Sequence, residues 1–502
     1  MKQWGKTTGL AYSLPTMHDN DVTLRLTPPE IVAMMRAAAP PGCDSLDDAS
    51  LRRLGELTRS LLAATPEAGH EYARFLAIGG RTLTLADATL DDWLGGKTVL
   101  VLGGTGCIGS SLMALLRDRP VRRLVSVSRG TTSQWPRLAG ADYVHADIRD
   151  RRALSAIFGE VRPDVVFHLA AQRDPGLAER EVHRTVTTNV LGTRNLVAAA
   201  AEAGVAQVVC ASTGKALRPY SPDVYTASKR AAEWLMSRAA QAGGTVYSAA
   251  RFTHVVDNSI VHGRLLDWSR SGLVRLHGAD IAFYAESALE SAQLLLVAGL
   301  GARPGELRMH VIADLGWPVS LLDIALGVLA RTGSATPIYI SGYDRGYETV
   351  PFPGLYDPRT AGEVSPLLSA FEAAAAQRVA YGMVDAFPLT FAAGREPGEH
   401  LLALAEASAA TREPAALRAA LDELSWSLLE AALGTVAQPL LARAARLTAP
   451  HQASLTQEHQ RMLAAIERHA AEPRESACPA SQPPGAAGAR RRAALDGIRI
   501  SC

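Results

Sequence analysis

The sequence has few cysteines, almost no net charge and no long apolar run. Its five cysteines are scattered over 502 residues without a CxxC pair, which argues against a disulfide framework and against a zinc site. The 51 basic and 50 acidic residues leave a formal charge of +1, so no overall field favours nucleic acid or a membrane surface as a partner. No window approaches the roughly 18 apolar residues of a membrane span, and the first residues lack a signal-peptide core. We therefore expect a cytoplasmic protein with no metal site.

The pattern of apolar and polar residues divides the chain into four parts. With 48% hydrophobic residues, the chain is long enough to bury a large core. We expect a helical N-terminal segment over residues 1–95 and an α/β domain over 96–360, whose substrate-binding portion follows about residue 253. Alanine-rich helical periodicity predicts a helical C-terminal segment over 361–471. Residues 472–502 are poor in large apolar residues and predict a disordered tail.

Residues 97–109, KTVLVLGGTGCIG, combine an apolar strand, a glycine-rich turn and the start of a helix. A dinucleotide pyrophosphate needs close approach of backbone N–H groups at a helix N-terminus, and side chains here would block it. Glycines also form ordinary turns, but the strand before and the helix after favour cofactor binding. Cys107 lies inside the turn and is interpreted as a small core residue rather than a nucleophile. The residues assigned to this site are Gly103, Gly106, Cys107, Ile108 and Gly109.

The second strand of the pattern ends in a hydroxyl and a guanidinium. Strands that bind NAD usually end in an acidic residue that accepts hydrogen bonds from the adenosine ribose. Here Ser128 and Arg129 follow instead, which suits the 2′-phosphate of NADP. We therefore favour NADP over NAD, the alternative being that Arg129 is a solvated loop residue.

Two further strand ends carry candidate cofactor contacts. Asp147 and Ile148 suit an adenine amino group and the face of its ring, although Asp147 could equally cap the helix that starts near Arg151. Ala170 and Ala171 follow the next strand. Their small side chains leave space for a cofactor over the sheet edge.

The fifth strand is followed by polar residues and then by a helix that carries Tyr225 and Lys229. Residues four apart lie on one helix face. An ammonium so placed lowers the pKa of a phenol, which can then exchange a proton while hydride moves to or from a nicotinamide. Tyr and Lys four apart are common by chance, but Thr213 and neighbouring polar residues at a strand end favour an active site.

The segments GGTGCIG, ADI, FHLAA, TNVLGT, STGK and YTASK together resemble the extended short-chain dehydrogenase/reductases. Within that superfamily the chain is similar to the nucleotide-sugar 4,6-dehydratases of polysaccharide biosynthesis and to their epimerase relatives, over about residues 97–330. The resemblance implies an α/β fold with a Rossmann-type doubly wound parallel sheet, and the residue pattern outside it predicts helical additions at both ends. It also implies a retained NADP and a sugar that is oxidised, altered at a neighbouring carbon and then reduced.

The resemblance implies roles for individual residues. Thr213 binds a substrate hydroxyl, Tyr225 is the oxidation base, and Lys229 orients cofactor and phenol. Lys215 is similar to the lysine that removes the sugar C5 proton in those dehydratases. The residues matched to cofactor contacts are Gly103, Gly106, Cys107, Ile108, Gly109, Ser128, Arg129, Asp147, Ile148, Ala170, Ala171, Asn189, Tyr225 and Lys229.

The chain departs from the family pattern in its substrate half. Gly214 stands where the dehydratases carry the aspartate that assists loss of water, which shifts weight from dehydration towards epimerisation or net redox chemistry. The family's late arginine-bearing motif is replaced by an aromatic and glycine-rich loop over residues 341–356. Candidate cations for a substrate phosphate are Arg264, Arg275 and Arg345. His254 and His262 are additional titratable groups near this cleft, the alternative being that they are ordinary surface or core histidines.

The sequence therefore predicts an NADP-dependent sugar-modifying enzyme that works through a transient keto-sugar, as an epimerase or oxidoreductase. A nucleotide-sugar 4,6-dehydratase using another acid, such as His254, is the alternative. A non-catalytic NADP-binding scaffold is an alternative of another class. We expect a small sugar-type substrate, a homo-oligomer, and no nucleic-acid or membrane partner, with the terminal helices used for packing, oligomerisation or covering of the cleft.

Overall fold

A computed structural model describes residues 26–472 except 44, 131–135, 348, 349, 351, 358–363, 412 and 413. Residues 473–502 of the expected disordered tail lie outside this range, as do residues 1–25. The described residues form one large sheet, three two-stranded ladders and the surrounding helices. None of the helices in these ranges has the length and apolar character needed to cross a membrane.

The strands, in chain order, are β1 (Thr98–Leu102), β2 (Arg123–Ser128), β3 (Asp142–His145), β4 (Val165–His168), β5 (Gln207–Thr213), β6 (Val246–Phe252), β7 (His254–Val255), β8 (Val274–Leu276), β9 (Ala282–Phe283), β10 (Ala285–Glu286), β11 (Leu307–Ile312), β12 (Val319–Ser320), β13 (Ile338–Ile340), β14 (Gln377–Val379) and β15 (Val384–Leu389).

The α-helices are α1 (Pro28–Ala38), α2 (Asp48–Ala64), α3 (Ala68–Ala77), α4 (Asp87–Leu94), α5 (Cys107–Arg117), α6 (Arg151–Val161), α7 (Pro175–Arg180), α8 (Val182–Val186), α9 (Gly192–Glu202), α10 (Val224–Ala242), α11 (Ile260–Ser271), α12 (Ala288–Leu300), α13 (Leu321–Thr332), α14 (Ala370–Ala373), α15 (Arg395–Thr411), α16 (Pro414–Thr435), α17 (Gln438–Thr448) and α18 (Gln457–Ala471). Short 3-10 turns cover Ile78–Gly80, Gly214–Leu217, Val256–Asn258 and Ala449–Ser454, and a π-helical turn covers Thr187–Leu191.

The large sheet has the order β14-β15-β11-β6-β5-β4-β1-β2-β3, and its strands from β3 to β11 run parallel. Every residue of β1 is buried, as expected for a parallel strand with helices on both faces. The run β3-β2-β1-β4-β5-β6 is the strand order of a doubly wound dinucleotide-binding fold. The predicted fold class is therefore confirmed.

The expected helical segment over residues 361–471 needs a correction, because it contains two strands as well as helices. Strands β14 and β15 extend the sheet, with β15 antiparallel to β11. The buried Asp385 of β15 pairs with Arg378 of β14 at 2.8 Å. One partner of β15 is the nearby β14 and the other is β11, more than 70 residues earlier, so local periodicity could not reveal the place of β15 in the large sheet. The helices expected after this point are present as α15, α16 and α18.

The N-terminal helices pack on the part of the chain that follows residue 253. Residues of α1, α2 and α3 share a hydrophobic core with residues of α11 and α13. A Cβ on Gly327 of α13 would overlap Tyr72 of α3, so the two helices approach closely. Tyr72 also contacts His262 of α11, its hydroxyl lying 2.9 Å from the imidazole Nε2.

The C-terminal helices pack on α10. Residues of α15 and α16 share a core with α8 and α10. The buried Trp234 of α10 donates to the carbonyl of Ala393 at 3.1 Å, and a Cβ on Gly398 would overlap its indole ring. The C-terminal segment therefore lies directly against the helix that carries Tyr225 and Lys229.

Candidate functional site

The glycine-rich turn has the geometry that a phosphate group requires. Gly103 has φ +91°, and a Cβ on it would lie 2.8 Å from the backbone nitrogen of Ala170. A Cβ on Gly109 would overlap the carbonyl oxygen of Gly103. Gly106 is the N-cap of α5, and no side chain among the described residues caps that helix. The backbone N–H groups of Cys107 and Ile108 at the first turn of α5 are thus suited to an anion.

Cys107 is buried in this turn. Burial, reinforced by the charge of Asp257, raises the pKa of its thiol to about 12. A thiol with so high a pKa is a poor nucleophile, which agrees with its interpretation as a small core residue.

The end of the cofactor cleft next to β2 carries two arginines around one carboxylate. Asp147 accepts hydrogen bonds from Arg149, from the backbone nitrogen at 3.0 Å and from Nη2 at 2.6 Å. Burial alone would raise the pKa of Asp147, but the hydrogen bonds and charge of Arg149 and the charge of Arg129 lower it. Ser128 Oγ accepts a long hydrogen bond of 3.4 Å from Gly130. The sequence analysis missed Arg149, whose partner Asp147 lies only two residues away.

The alternative role of Asp147 as a helix cap is wrong. Asp150 is the N-cap of α6 and accepts from the backbone nitrogen of Ala153 at 3.0 Å. Ile148 packs on α9, where a Cβ on Gly192 would lie 2.6 Å from its Cδ1.

Asn189 lies inside the protein with its amide engaged. Its Oδ1 accepts from the backbone nitrogen of Gln172 at 2.8 Å, and its Nδ2 donates to the carbonyl of Gln172 and to Ser228 Oγ, both at 3.0 Å. It therefore ties the loop that follows Ala170 and Ala171 to α10. We interpret Asn189 as a residue that positions this loop.

Tyr225, Lys229 and Thr213 meet where β5 ends and α10 begins. Asp223 caps α10 by accepting from the backbone nitrogen of Thr226 at 2.8 Å, which fixes the first helical turn. The Thr213 hydroxyl acts on the phenol of Tyr225 and lowers its pKa against the larger effect of burial. One turn further along α10, Lys229 Nζ donates to the carbonyl of Ala211 in β5 at 2.8 Å.

The expected lowering of the phenol pKa is not met in this structure. Burial raises the pKa of Tyr225, and the Thr213 hydroxyl opposes part of that effect. Burial also lowers the pKa of Lys229. The phenol is therefore neutral here.

Lys215 follows the same strand end and is contacted by the loop after β13. Its Nζ donates to the carbonyl of Gly346 at 3.2 Å and lies 5.8 Å from the ring centroid of Tyr347. Burial would raise the pKa of Asp223, but the charges of Lys215 and Arg218 lower it. Asp223 is thus an anion near Lys215, a relationship that the sequence analysis did not identify.

The position of the missing aspartate is occupied from elsewhere in the chain. A Cβ on Gly214 would lie 2.5 Å from Cδ2 of the buried Leu367 and 3.3 Å from the carbonyl oxygen of Phe252. A carboxylate side chain at residue 214 therefore has no room unless Leu367 moves.

Two of the three candidate phosphate-binding arginines lie beside the segment that follows β4. Arg345 Nε pairs with Glu179 at 3.0 Å, and Arg264 lies 3.9 Å from Asp174. Arg275 instead stacks over the ring of Tyr339, at 5.7 Å from its centroid.

His254 and His262 are both engaged within the fold. His254 Nε2 lies 2.6 Å from Ser259 Oγ, and burial lowers the pKa of His254 to about 4. Burial also lowers the pKa of His262. A histidine with a pKa near 4 is neutral at neutral pH and offers no imidazolium proton.

Three residues that were not predicted from the sequence join distant segments at this site. Tyr347 donates from its hydroxyl to Asp174 at 3.1 Å, and Glu179 accepts from the backbone nitrogen of Val224 at 2.7 Å. Only Asp174 had a local signal, as an acidic residue before Pro175 at the start of a helix. Tyr347 and Glu179 have none, because their partners are distant in sequence.

A doubly wound sheet with a glycine-rich phosphate turn, a strand-end Thr213 and a Tyr225–Lys229 helix defines the extended short-chain dehydrogenase/reductase class. Residues 99–348 match the sequence model of the family described as polysaccharide biosynthesis protein. This segment is similar to that family, and the resemblance drawn from the motifs is confirmed.

Individual relatives agree with this assignment. The chain is 27% identical over 284 residues to the probable polysaccharide biosynthesis protein EpsC of Bacillus subtilis (strain 168), covering 54% of this chain and 47% of that protein. It is 31% identical over 170 residues to an inverting UDP-N-acetylglucosamine 4,6-dehydratase of Campylobacter jejuni, covering 32% and 50%. The chain spans about half the length of these curated relatives.

Among solved structures, a Thermus thermophilus UDP-glucose 4-epimerase in complex with NAD is 22% identical, with a TM-score of 0.42, covering 49% of this chain and 88% of that one.

Proposed function

We propose that this protein is an NADP-dependent enzyme that oxidises and re-reduces a sugar carbon of a nucleotide sugar, as an epimerase or oxidoreductase. The observation that carries the proposal is the meeting of Tyr225 with Thr213 at the end of β5, one helical turn from Lys229, whose Nζ donates to the β5 carbonyl of Ala211. The proposal goes beyond the family resemblance in naming the cofactor, the substrate and the reaction.

The cofactor half of the cleft fits a dinucleotide. The turn at Gly103, Gly106 and Gly109 leaves the first N–H groups of α5 for the pyrophosphate, because a helix N-terminus favours negative charge. Ser128 and Arg129 would hold the 2′-phosphate, which is why we favour NADP over NAD. NADP, when bound, supplies a hydride acceptor and donor.

Each catalytic side chain then has a defined task. Thr213 holds a substrate hydroxyl, and Tyr225, once ionised to the phenolate in the proposed complex, takes the hydroxyl proton during oxidation and returns it during reduction. Lys229 is one turn away on the same helix and, in the proposed complex, orients the cofactor ribose. Lys215, as the neutral amine, takes the proton from the carbon next to the new ketone, since a carbonyl acidifies that position, and an epimerisation is completed when a proton returns to the opposite face of that carbon.

One contact and two protonation states favour epimerisation or net redox chemistry over loss of water. Leu367 fills the space in which an acid at residue 214 would lie. Asp223 has a lowered pKa and is ionised at neutral pH, so it has no proton to give. His254 has a pKa of about 4 and is neutral, which makes the alternative acid unsuitable.

A 4,6-dehydratase remains the second candidate, because the chain is 31% identical over 170 residues to a dehydratase. A non-catalytic scaffold is the third, and the retained Tyr225 and Lys229 argue against it. Incubation with NADP and a set of nucleotide sugars in D2O, followed by mass spectrometry and NMR, separates the three. An epimerase gives an isomer, with deuterium only at a carbon next to the transient ketone. An oxidoreductase gives a sugar lighter by two hydrogens together with NADPH, a dehydratase loses one water, and a scaffold leaves the sugars unchanged.

A further inference from the structure

Arg418 of the C-terminal helix α16 contacts a carboxylate that also holds the first turn of α10. Its Nη1 pairs with Glu179 Oε2, and its Nη2 donates to the Glu179 carbonyl at 2.9 Å. The other oxygen of the same side chain, Oε1, accepts from the backbone nitrogen of Val224 at 2.7 Å. Val224 immediately precedes Tyr225. The position of Glu179 therefore bears directly on the position of the phenol.

The same carboxylate holds the loop that contacts Lys215. Arg345 Nε lies 3.0 Å from Glu179 Oε2, and the next residue, Gly346, accepts from Lys215 Nζ at 3.2 Å. Gly346 has φ +88°, and a Cβ there would lie 3.0 Å from Glu179 Cγ. The loop therefore packs tightly against the Glu179 side chain.

Arg418 is the stronger of the two cationic partners of Glu179. The Glu179 side chain is 5% exposed, so its charge depends on a close partner. Arg345 is 70% exposed and Arg418 only 25%. Because exposed ion pairs contribute little, Arg418 is the residue that keeps the buried carboxylate in place.

We propose that Arg418 is a positioning residue for catalysis, which acts through Glu179 on the placement of both Tyr225 and Lys215. The C-terminal helical segment then has a role in turnover in addition to packing. The inference rests on the proposed function for its activity measurements, whereas its structural part can be tested without any substrate.

The test compares Arg418→Ala, Arg418→Lys and Glu179→Gln with Arg194→Ala in the full-length protein. Arg194 is a matched control, because it is 26% exposed and also pairs with the C-terminal segment, through Glu406. Hydrogen exchange is measured by mass spectrometry on peptides that contain Val224 and Gly346. We expect faster exchange there in Arg418→Ala and Glu179→Gln, and exchange like that of the wild type in Arg194→Ala.

Turnover provides the second readout. We expect kcat of Arg418→Ala to fall between about 10- and 100-fold with little change in KM, as for a misplaced catalytic group. Arg418→Lys should retain part of kcat, and guanidinium added to Arg418→Ala should restore part of it. A general loss of stability would not be reversed in this way. Unchanged exchange at Val224 and Gly346 overturns the inference, as does a loss of kcat equal to that of Arg194→Ala. Altered exchange in a protein whose wild type turns over no nucleotide sugar would overturn the proposed function and leave the structural inference standing.

Discussion

Leu367 fills the space beside Gly214, with its Cδ2 at 2.5 Å from where a Cβ would lie. Gly214 follows the strand end that carries Thr213, whereas Leu367 comes from a segment more than 150 residues later. The sequence shows that an acid is absent at residue 214. The structure adds that its place is taken by an apolar side chain.

Because of this contact, any side chain at residue 214 requires the buried Leu367 to shift. We expect Gly214→Ala to lower the free energy of unfolding by about 1 to 3 kcal/mol, as overpacking does. The loss should be smaller when Leu367→Ala is present, because the two sites share the same space. Denaturant unfolding monitored by circular dichroism measures both effects.

Gly263 offers the control for this prediction. A Cβ there meets nothing within 4 Å, and the residue lies inside α11. Gly263→Ala should therefore stabilise the protein by about 0.4 to 1 kcal/mol. Equal destabilisation by both substitutions would contradict the crowding at residue 214.

The phenol of Tyr225 should be needed for turnover and not for cofactor binding. Tyr225→Phe removes the hydroxyl that contacts Thr213 while keeping the ring. We expect kcat to fall by about 100-fold or more, with NADP affinity measured by calorimetry nearly unchanged. Tyr381→Phe, at a 73% exposed position, is the control. Full activity of Tyr225→Phe would favour the scaffold alternative.

The guanidinium of Arg129 should determine the choice between cofactors. Removing one charge-assisted contact to a phosphate costs about 1.5 to 3 kcal/mol, so Arg129→Ala should weaken NADP binding by about 10- to 100-fold. Binding of NAD should change little, since NAD lacks the 2′-phosphate. Arg122→Ala, which removes a 63% exposed arginine paired with Asp164, is the control. A parallel loss for both cofactors would refute the assignment.

Glu286 should make stability depend on pH near neutrality. Burial, together with repulsion from Glu290, raises the pKa of Glu286 from 4.5 to about 8. Because the folded-state pKa is the higher one, the protonated carboxyl stabilises the fold most below pH 4.5, and that contribution is lost as pH rises through about 8. Glu286→Gln should therefore gain stability relative to the wild type as pH rises.

Melting temperatures between about pH 6 and about pH 9 test this. The exposed Glu202 has a pKa lowered by hydrogen bonds from Arg151 and Ser155, so Glu202→Gln should differ from the wild type by a constant amount over this range. Parallel profiles for Glu286→Gln and the wild type would rule out a protonated Glu286.

The sequence by itself determined the elements whose signals are local. The glycine turn, the strand that precedes it and the Tyr225–Lys229 spacing each lie within a few residues, and backbone geometry follows from them directly. The doubly wound fold that contains these elements could therefore be predicted. Two nearby aspartates, Asp147 and Asp150, could each have capped the next helix, and only the tertiary structure shows that Asp150 does so.

Only the tertiary structure decided what surrounds those elements. The place of β15 in the large sheet depends on backbone hydrogen bonds with the distant β11, and Glu179 contacts Arg345, Arg418 and Val224 from three separate segments. Leu367 reaches Gly214 in the same way. Burial then raised the pKa of Tyr225, where the sequence had predicted a lowered one. These properties depend on which distant segments exclude water and fill space, and no local pattern of residues encodes that.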